Sequence, residues 1–216
     1  MYIHKLTFNP FAENTYLLSD QQGQCIIIDP GCFGSSEQQT LSQYIKNHNL
    51  SPVALLNTHA HLDHVLGNQF VKDTWGLLPQ AHKQELPVYQ SFTSICQKYG
   101  LGSNLTTPFP SVWLEDGQDI QFGDIKLTCY LAPGHSPGSL CFYHAPTGTL
   151  VGGDVLFEGS IGRTDLPLGN HNDLITSIGR LMTLLPEPTK VLPGHGDSTT
   201  IGREKRSNPF LQSLRN

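Results

Sequence analysis

Asn57-Thr58-His59-Ala60-His61-Leu62-Asp63-His64 packs three imidazoles and a carboxylate into six consecutive residues, His59 to His64. A folded core seldom holds such a cluster, because each polar group there needs a partner. Imidazole and carboxylate together suit Zn²⁺, Fe²⁺ or Mn²⁺. In an extended segment His59 and His61, two positions apart, point to the same side. Asp63 and His64 follow a turn and reach a second point. The segment therefore predicts two neighbouring cations, one on His59 and His61, the other on Asp63 and His64.

Working outward, further candidate ligands each follow a short apolar strand. Val53–Leu56 leads into His59. Lys126–Leu131 leads into Ala132-Pro133-Gly134-His135, and Thr149-Leu150-Val151 leads into Gly152-Gly153-Asp154. Lys190-Val191-Leu192 leads into Pro193-Gly194-His195. Ligands on loops at strand ends can converge on one rim of a sheet. The glycines beside them permit close backbone approach. His4, His48, His82, His144 and His171 lack such a context and read as surface or packing residues.

The chain has 216 residues, 38% hydrophobic, with a formal charge of -5. That size suits one domain with a sizeable core. There is no basic footprint for nucleic acid. Of the five cysteines none forms a Cys-x-x-Cys pair, so they read as buried free thiols of a reducing compartment. The N-terminus has no signal-peptide pattern and no segment is long enough to span a membrane. The expectation is a cytoplasmic protein with no nucleic-acid or membrane partner.

Thr15–Leu18 and Cys25–Ile28 read as a hairpin, and Val53–Leu56 as a buried strand. Helices are expected over 36–48 (Leu41, Tyr44 and Ile45 inward, N-cap Ser35 or Ser36), 64–75, 84–99 and 172–185. Leu86, Val88, Phe92, Ile95 and Tyr99 are the apolar positions of the third. Residues 103–111 form a loop. Hairpins join Gln118–Phe122 to Lys126–Leu131 and Ser139–His144 to Thr149–Gly152. Lys190–Leu192 is a strand, and 201–216 a short helix or tail. Strands and helices mix in both halves, which implies a layered α/β domain.

The His-x-His-x-Asp-His motif, with His135, Asp154 and His195 following in order, resembles the metallo-β-lactamase superfamily. The resemblance runs from Asp29-Pro30-Gly31 to His195. It implies a single domain over 1–216 folded as a four-layer αβ/βα sandwich. Carried over by motif, His59, His61 and His135 hold one metal, Asp63, His64 and His195 the other, and Asp154 bridges them. Two divalent ions are implied. Zinc is the expected metal, and the ligands suit iron or manganese as well. Asp29 matches a position that steadies the ligand loop.

Within the superfamily the chain is most similar to short bacterial glyoxalase II-like thiolester hydrolases. Two stretches carry this: Gly159-Ser160-Ile161-Gly162-Arg163-Thr164-Asp165-Leu166-Pro167, and Thr199-Thr200-Ile201-Gly202-x-Glu204 with Asn208-Pro209-Phe210. True β-lactamases of the superfamily resemble it in the histidine cluster but lack the bridging aspartate. The implied substrate is S-D-lactoylglutathione or a related acyl thiolester, attacked by a metal-bridging hydroxide that Asp63 aims. Arg163 matches a basic residue that meets the glutathione portion. The family's C-terminal helical domain is not expected here, and Gly196-Asp197 stand where the family has a tyrosine. A monomer or homodimer is expected. The alternative that the resemblance leaves open is a mononuclear-iron glutathione-persulfide dioxygenase using His59, His135 and Asp154.

Overall fold

A computed structural model describes residues 1–214. The chain divides into two compact units, Met1–Leu114 with Gln121–Ile125, and Glu115–Ile120 with the chain from Lys126 onward. Among the described residues no helix is long and apolar enough to cross a membrane.

The first unit is built on a six-stranded sheet in sequence order: β1 (Tyr2–Phe8), β2 (Glu13–Ser19), β3 (Gln24–Ile28), β4 (Ser51–Leu56), β5 (Pro79–Ala81) and β6 (Val112–Trp113). The first three strands pair antiparallel, and β3 to β6 run parallel. Parallel neighbours need crossovers. Helix α1 (Gly34–Asn47) links β3 to β4, and α2 (Leu62–Val65) with α3 (Asn68–Trp75) links β4 to β5. Helix α4 (Leu86–Lys98) precedes β6. The Cys25–Ile28 run is wholly buried, as a central strand between two covered faces should be. Leu41 and Ile45 of α1, one turn apart, bury with Val71 of α3 against Leu17, Ile27 and Leu55.

The second unit carries β7 (Asp119–Phe122), β8 (Ile125–Leu131), β9 (Leu140–His144), β10 (Thr149–Gly153), a ribbon of β11 (Leu156–Phe157) and β12 (Ser160–Ile161), helix α5 (His171–Leu184), β13 (Lys190–Pro193), β14 (Thr199–Thr200) and α6 (Ile201–Ser207). Its six-stranded sheet has the order β14-β13-β10-β9-β8-β7. Strands β8, β9 and β10 alternate in direction, and β13 runs parallel to β10. Hence β8, β10 and β13 all point the same way and end at the same edge. Helix α5 buries Leu174, Ile178, Leu181 and Met182, a stripe at helical spacing, against the sheet. Asn170 caps it by accepting the N–H groups of Asn172 and Asp173 at 3.0 and 3.2 Å.

Both α/β sheets, the central helices and all three expected hairpins are present. Four details differ. Helix α1 starts at Gly34 with Phe33 as its cap, not Ser35 or Ser36. Glu37 explains this, because its carboxylate reaches back to accept the Phe33 N–H at 2.7 Å. The expected helix over 64–75 breaks into α2 and α3, because Gly67 donates to the Pro30 carbonyl at 2.7 Å and seats its Cα against Cys32. Tyr99 is exposed and lies edge-on to Phe11; Tyr89 takes the core place. Strand β1 and the short β5, β6, β11, β12 and β14 lie outside the expectation. All but β1 are two or three residues long, too short to show a period.

Candidate metal-binding site

In the first unit β3 and β4 run parallel, so Asp29 and the Asn57–His64 segment leave the same edge. The rings of His59 and His61 lie 4.8 Å apart and those of His59 and His64 4.1 Å apart. His59 and His64 are fully buried. The alternation expected for an extended segment therefore holds. The chain then turns into α2, which begins at Leu62 and carries Asp63 and His64 in its first turn.

Asp29 is the hub of this cluster. It sits at φ 51, a left-handed conformation uncommon outside glycine but tolerated by Asp. One carboxylate oxygen accepts the Thr58 N–H at 2.7 Å. The other accepts the Thr58 hydroxyl and lies 3.0 Å from His64 Nδ1. Asp29, His59 and His64 have ligand atoms within 4.8 Å of one another. The Asp29 oxygens are already engaged by the loop, so Asp29 braces Thr58 and fixes the His64 ring.

Sequence reasoning missed three other supports. Buried Glu85 accepts the Ala60 N–H at 2.8 Å, directly between His59 and His61. The Asn57 side-chain carbonyl accepts from Tyr89 Oη at 2.8 Å and from Asn68 at 2.9 Å. Asn9 donates to the carbonyls of Gly31 and Asp63, both at 2.9 Å. Only the Asn9-Pro10 pair had a local signal, a turn marker. Burial pushes the Glu13 carboxyl well above its ordinary range, against the opposing pull of His64; Asp29 and Asp63 add to the rise.

In the second unit β8, β10 and β13 deliver His135, Asp154 and His195 to one edge. His135 Nε2 and His195 Nε2 lie 3.6 and 3.4 Å from the same oxygen, Asp154 Oδ2. The other side of the His135 ring is fixed, since Nδ1 lies 2.8 Å from the Arg163 carbonyl. Two glycines make this possible. A Cβ on Gly134 would meet the Leu174 backbone at the start of α5 at 2.2 Å. One on Gly162 would meet the Asp154 carbonyl at 1.9 Å. The Arg163 guanidinium forms a two-pronged pair with Asp165, 2.7 Å on each prong, and both side chains are exposed. That pairing pulls the Asp165 carboxyl down to about 2.

The donor chemistry fits divalent ions. Two atoms each about 2.0–2.1 Å from a tetrahedral ion lie about 3.4 Å apart. The Nε2 to Asp154 spacings match that separation, and the His64 Nε2 to Asp63 Oδ2 spacing of 3.8 Å is near it. The five cysteines are free and buried, as expected, and burial pushes Cys25, Cys32, Cys129 and Cys141 up to about 12. Of the remaining histidines, His82 caps a short turn, His144 pairs with Thr147, and His4 and His48 pack with Tyr44.

Comparison with known proteins agrees. The family model described as "Metallo-beta-lactamase superfamily" matches residues 8–195. The chain is similar to the hydroxyacylglutathione hydrolase GloC of Haemophilus influenzae, 35% identical over 99% of each chain. Among solved structures it is similar to the BLEG-1 B3 metallo-beta-lactamase, at 34% identity and TM-score 0.88, over 98% of this chain and 100% of that one. It is also similar to TTHA1623 in a di-iron-bound form, at 38% identity and TM-score 0.86, over 96% and 100%. The chain has the metallo-β-lactamase fold and belongs to the metallo-β-lactamase superfamily of metal-dependent hydrolases.

Proposed function

We propose that this chain is a dinuclear metal-dependent hydrolase of thiolesters, S-D-lactoylglutathione or a related acyl thiolester. The observation that carries the reading is the approach of His135 and His195 to a single Asp154 oxygen, at 3.6 and 3.4 Å. One carboxylate facing two imidazoles suits a bridging ligand. In this reading His59, His61 and His135 hold one ion, Asp63, His64 and His195 the other, and Asp154 is shared. Zinc is the proposed metal, with iron the alternative that the di-iron-bound relative supports. Similarity to GloC supports the thiolester as substrate.

When bound, such ions supply Lewis acidity and lower the pKa of water towards about 7. The chain's own residues do the rest. Asp63 accepts a hydrogen bond from the attacking hydroxide and aims its lone pair at the acyl carbon. Asp29 and the Arg163 carbonyl keep the His64 and His135 rings in one orientation. Arg163, braced by Asp165, meets an anionic part of the substrate. A thiolate leaves readily, so no strong general acid is needed.

Zinc- or iron-loaded protein is expected to hydrolyse S-D-lactoylglutathione, followed by loss of thiolester absorbance, and a chelator should abolish the rate. Absence of turnover with either metal, together with oxygen uptake on glutathione persulfide, would make the chain a persulfide dioxygenase instead. Turnover of a β-lactam alone would place it with the lactamases.

A further inference from the structure

The segment Thr199-Thr200-Ile201-Gly202-x-Glu204 with Asn208 lies beyond the last candidate ligand, His195, and supplies none itself. Its geometry gives it a task. Glu204 and Asn208 are fully buried. One Glu204 oxygen accepts the Thr199 hydroxyl. The other accepts the Gly159 N–H at 2.9 Å and the Asn208 amide at 2.8 Å. Asn208 also donates to the Ser160 carbonyl at 2.9 Å. Gly159 lies in the turn of the β11–β12 ribbon, and Ser160 opens β12. A buried carboxylate is costly unless its oxygens are well supplied with donors. Here the donors come from two stretches of chain, Thr199 and Asn208 beside Glu204 and Gly159 from 45 positions away.

The ribbon ties this cluster to the candidate ligands. It leaves the sheet just after Asp154 and returns at Gly162, whose N–H donates to the Val155 carbonyl at 3.3 Å. The Gly162 Cα seats against the Asp154 carbonyl. The next residue, Arg163, offers its carbonyl to His135 Nδ1 at 2.8 Å. Both ends of the ribbon thus touch a candidate ligand, and its tip is fastened by Glu204.

We propose that Glu204 is a positioning residue for the metal half-site. It fixes the ribbon so that the Arg163 carbonyl selects one His135 tautomer and Asp154 keeps its place. This rests on the reading that His135, Asp154 and His195 bind metal. Outer partners of metal-binding histidines are worth about 10–100-fold in metal affinity.

The test is competition of zinc with a chromogenic chelator, for wild type and four variants whose apo melting temperatures are also measured. Glu204→Ala should weaken zinc binding at least about 10-fold. Glu204→Gln should restore it: its carbonyl can take Gly159 and Asn208 while its amide donates to Thr199. Thr200→Ala removes the α6 cap, in which Thr200 Oγ1 accepts the Arg203 N–H at 3.2 Å, and takes away none of the bonds from Glu204 and Asn208 to Gly159 and Ser160. It should lower the melting temperature and leave zinc affinity unchanged. Should Glu204→Ala fail to fold, Glu204→Asp, too short to reach both sets of donors, is expected to show the same loss. Wild-type affinity in Glu204→Ala or Glu204→Asp, or an equal loss in Thr200→Ala, overturns the proposal. A wild-type protein that takes up no zinc overturns the metal reading itself, and this proposal with it.

Discussion

Asp154→Ala is expected to lose metal and activity together, with the hydrolysis rate down at least about 100-fold. Substituting an outer partner of a ligand already costs about 10–100-fold, so removing a shared ligand sets that range as a floor. Asp154 is nearly buried, and its one oxygen faces both His135 and His195. Without the carboxylate those two imidazoles have no anion between them, and two cations held close together would lose the charge that offsets their repulsion. Far-ultraviolet circular dichroism of the apo variant should match wild type, because Asp154 follows β10 instead of packing in the sheet. Metal content and rate should be measured on the same preparation. Full activity with undiminished metal would show that Asp154 is not shared.

Replacing Asp29 should have the second largest effect, and it should separate stability from metal affinity. Asp29→Ala leaves the Thr58 N–H and hydroxyl and the His64 Nδ1 without their acceptor in a buried site. An unsatisfied buried donor costs about 1–3 kcal/mol. The left-handed backbone at φ 51 adds about 1–2 kcal/mol for a residue that cannot hydrogen-bond locally. Asp29→Asn tolerates that backbone, so its urea midpoint should stay nearer wild type. Its amide nitrogen would nonetheless face a donor, either on Thr58 or on His64. Zinc affinity should therefore fall about 10–100-fold in both variants, while only Asp29→Ala loses most of its stability. Wild-type zinc affinity in Asp29→Asn would remove Asp29 from any role in holding the ligand loop.

The candidate ligands were readable from sequence because their chemistry is local. Three imidazoles within six residues, and Pro-Gly-His after an apolar strand, need no tertiary knowledge. The α5 stripe was readable for the same reason, since four apolar residues repeat at helical spacing. The supports were not. Glu85 looks like an ordinary surface carboxylate in a linear reading, Glu204 stands out only as one residue of a similar stretch, and only the fold reveals that each is buried on a backbone N–H. Asn9 acts on Asp63 across 54 positions, beyond any local pattern. The break between α2 and α3 escaped for a similar cause. Gly67 marks it, but the Pro30 carbonyl that makes it necessary comes from another strand end. The role of Arg163 was divided in an unforeseen way: its guanidinium faces Asp165, and its backbone carbonyl meets His135.

Equilibrium dialysis of the purified chain against zinc, with metal and protein quantified in the same sample, tests the account most directly. Two ions per chain are expected, with the second lost in Asp154→Ala. Saturation at one ion, or at none, would contradict a shared-carboxylate pair and return the histidine clusters to a purely structural role or a mononuclear one.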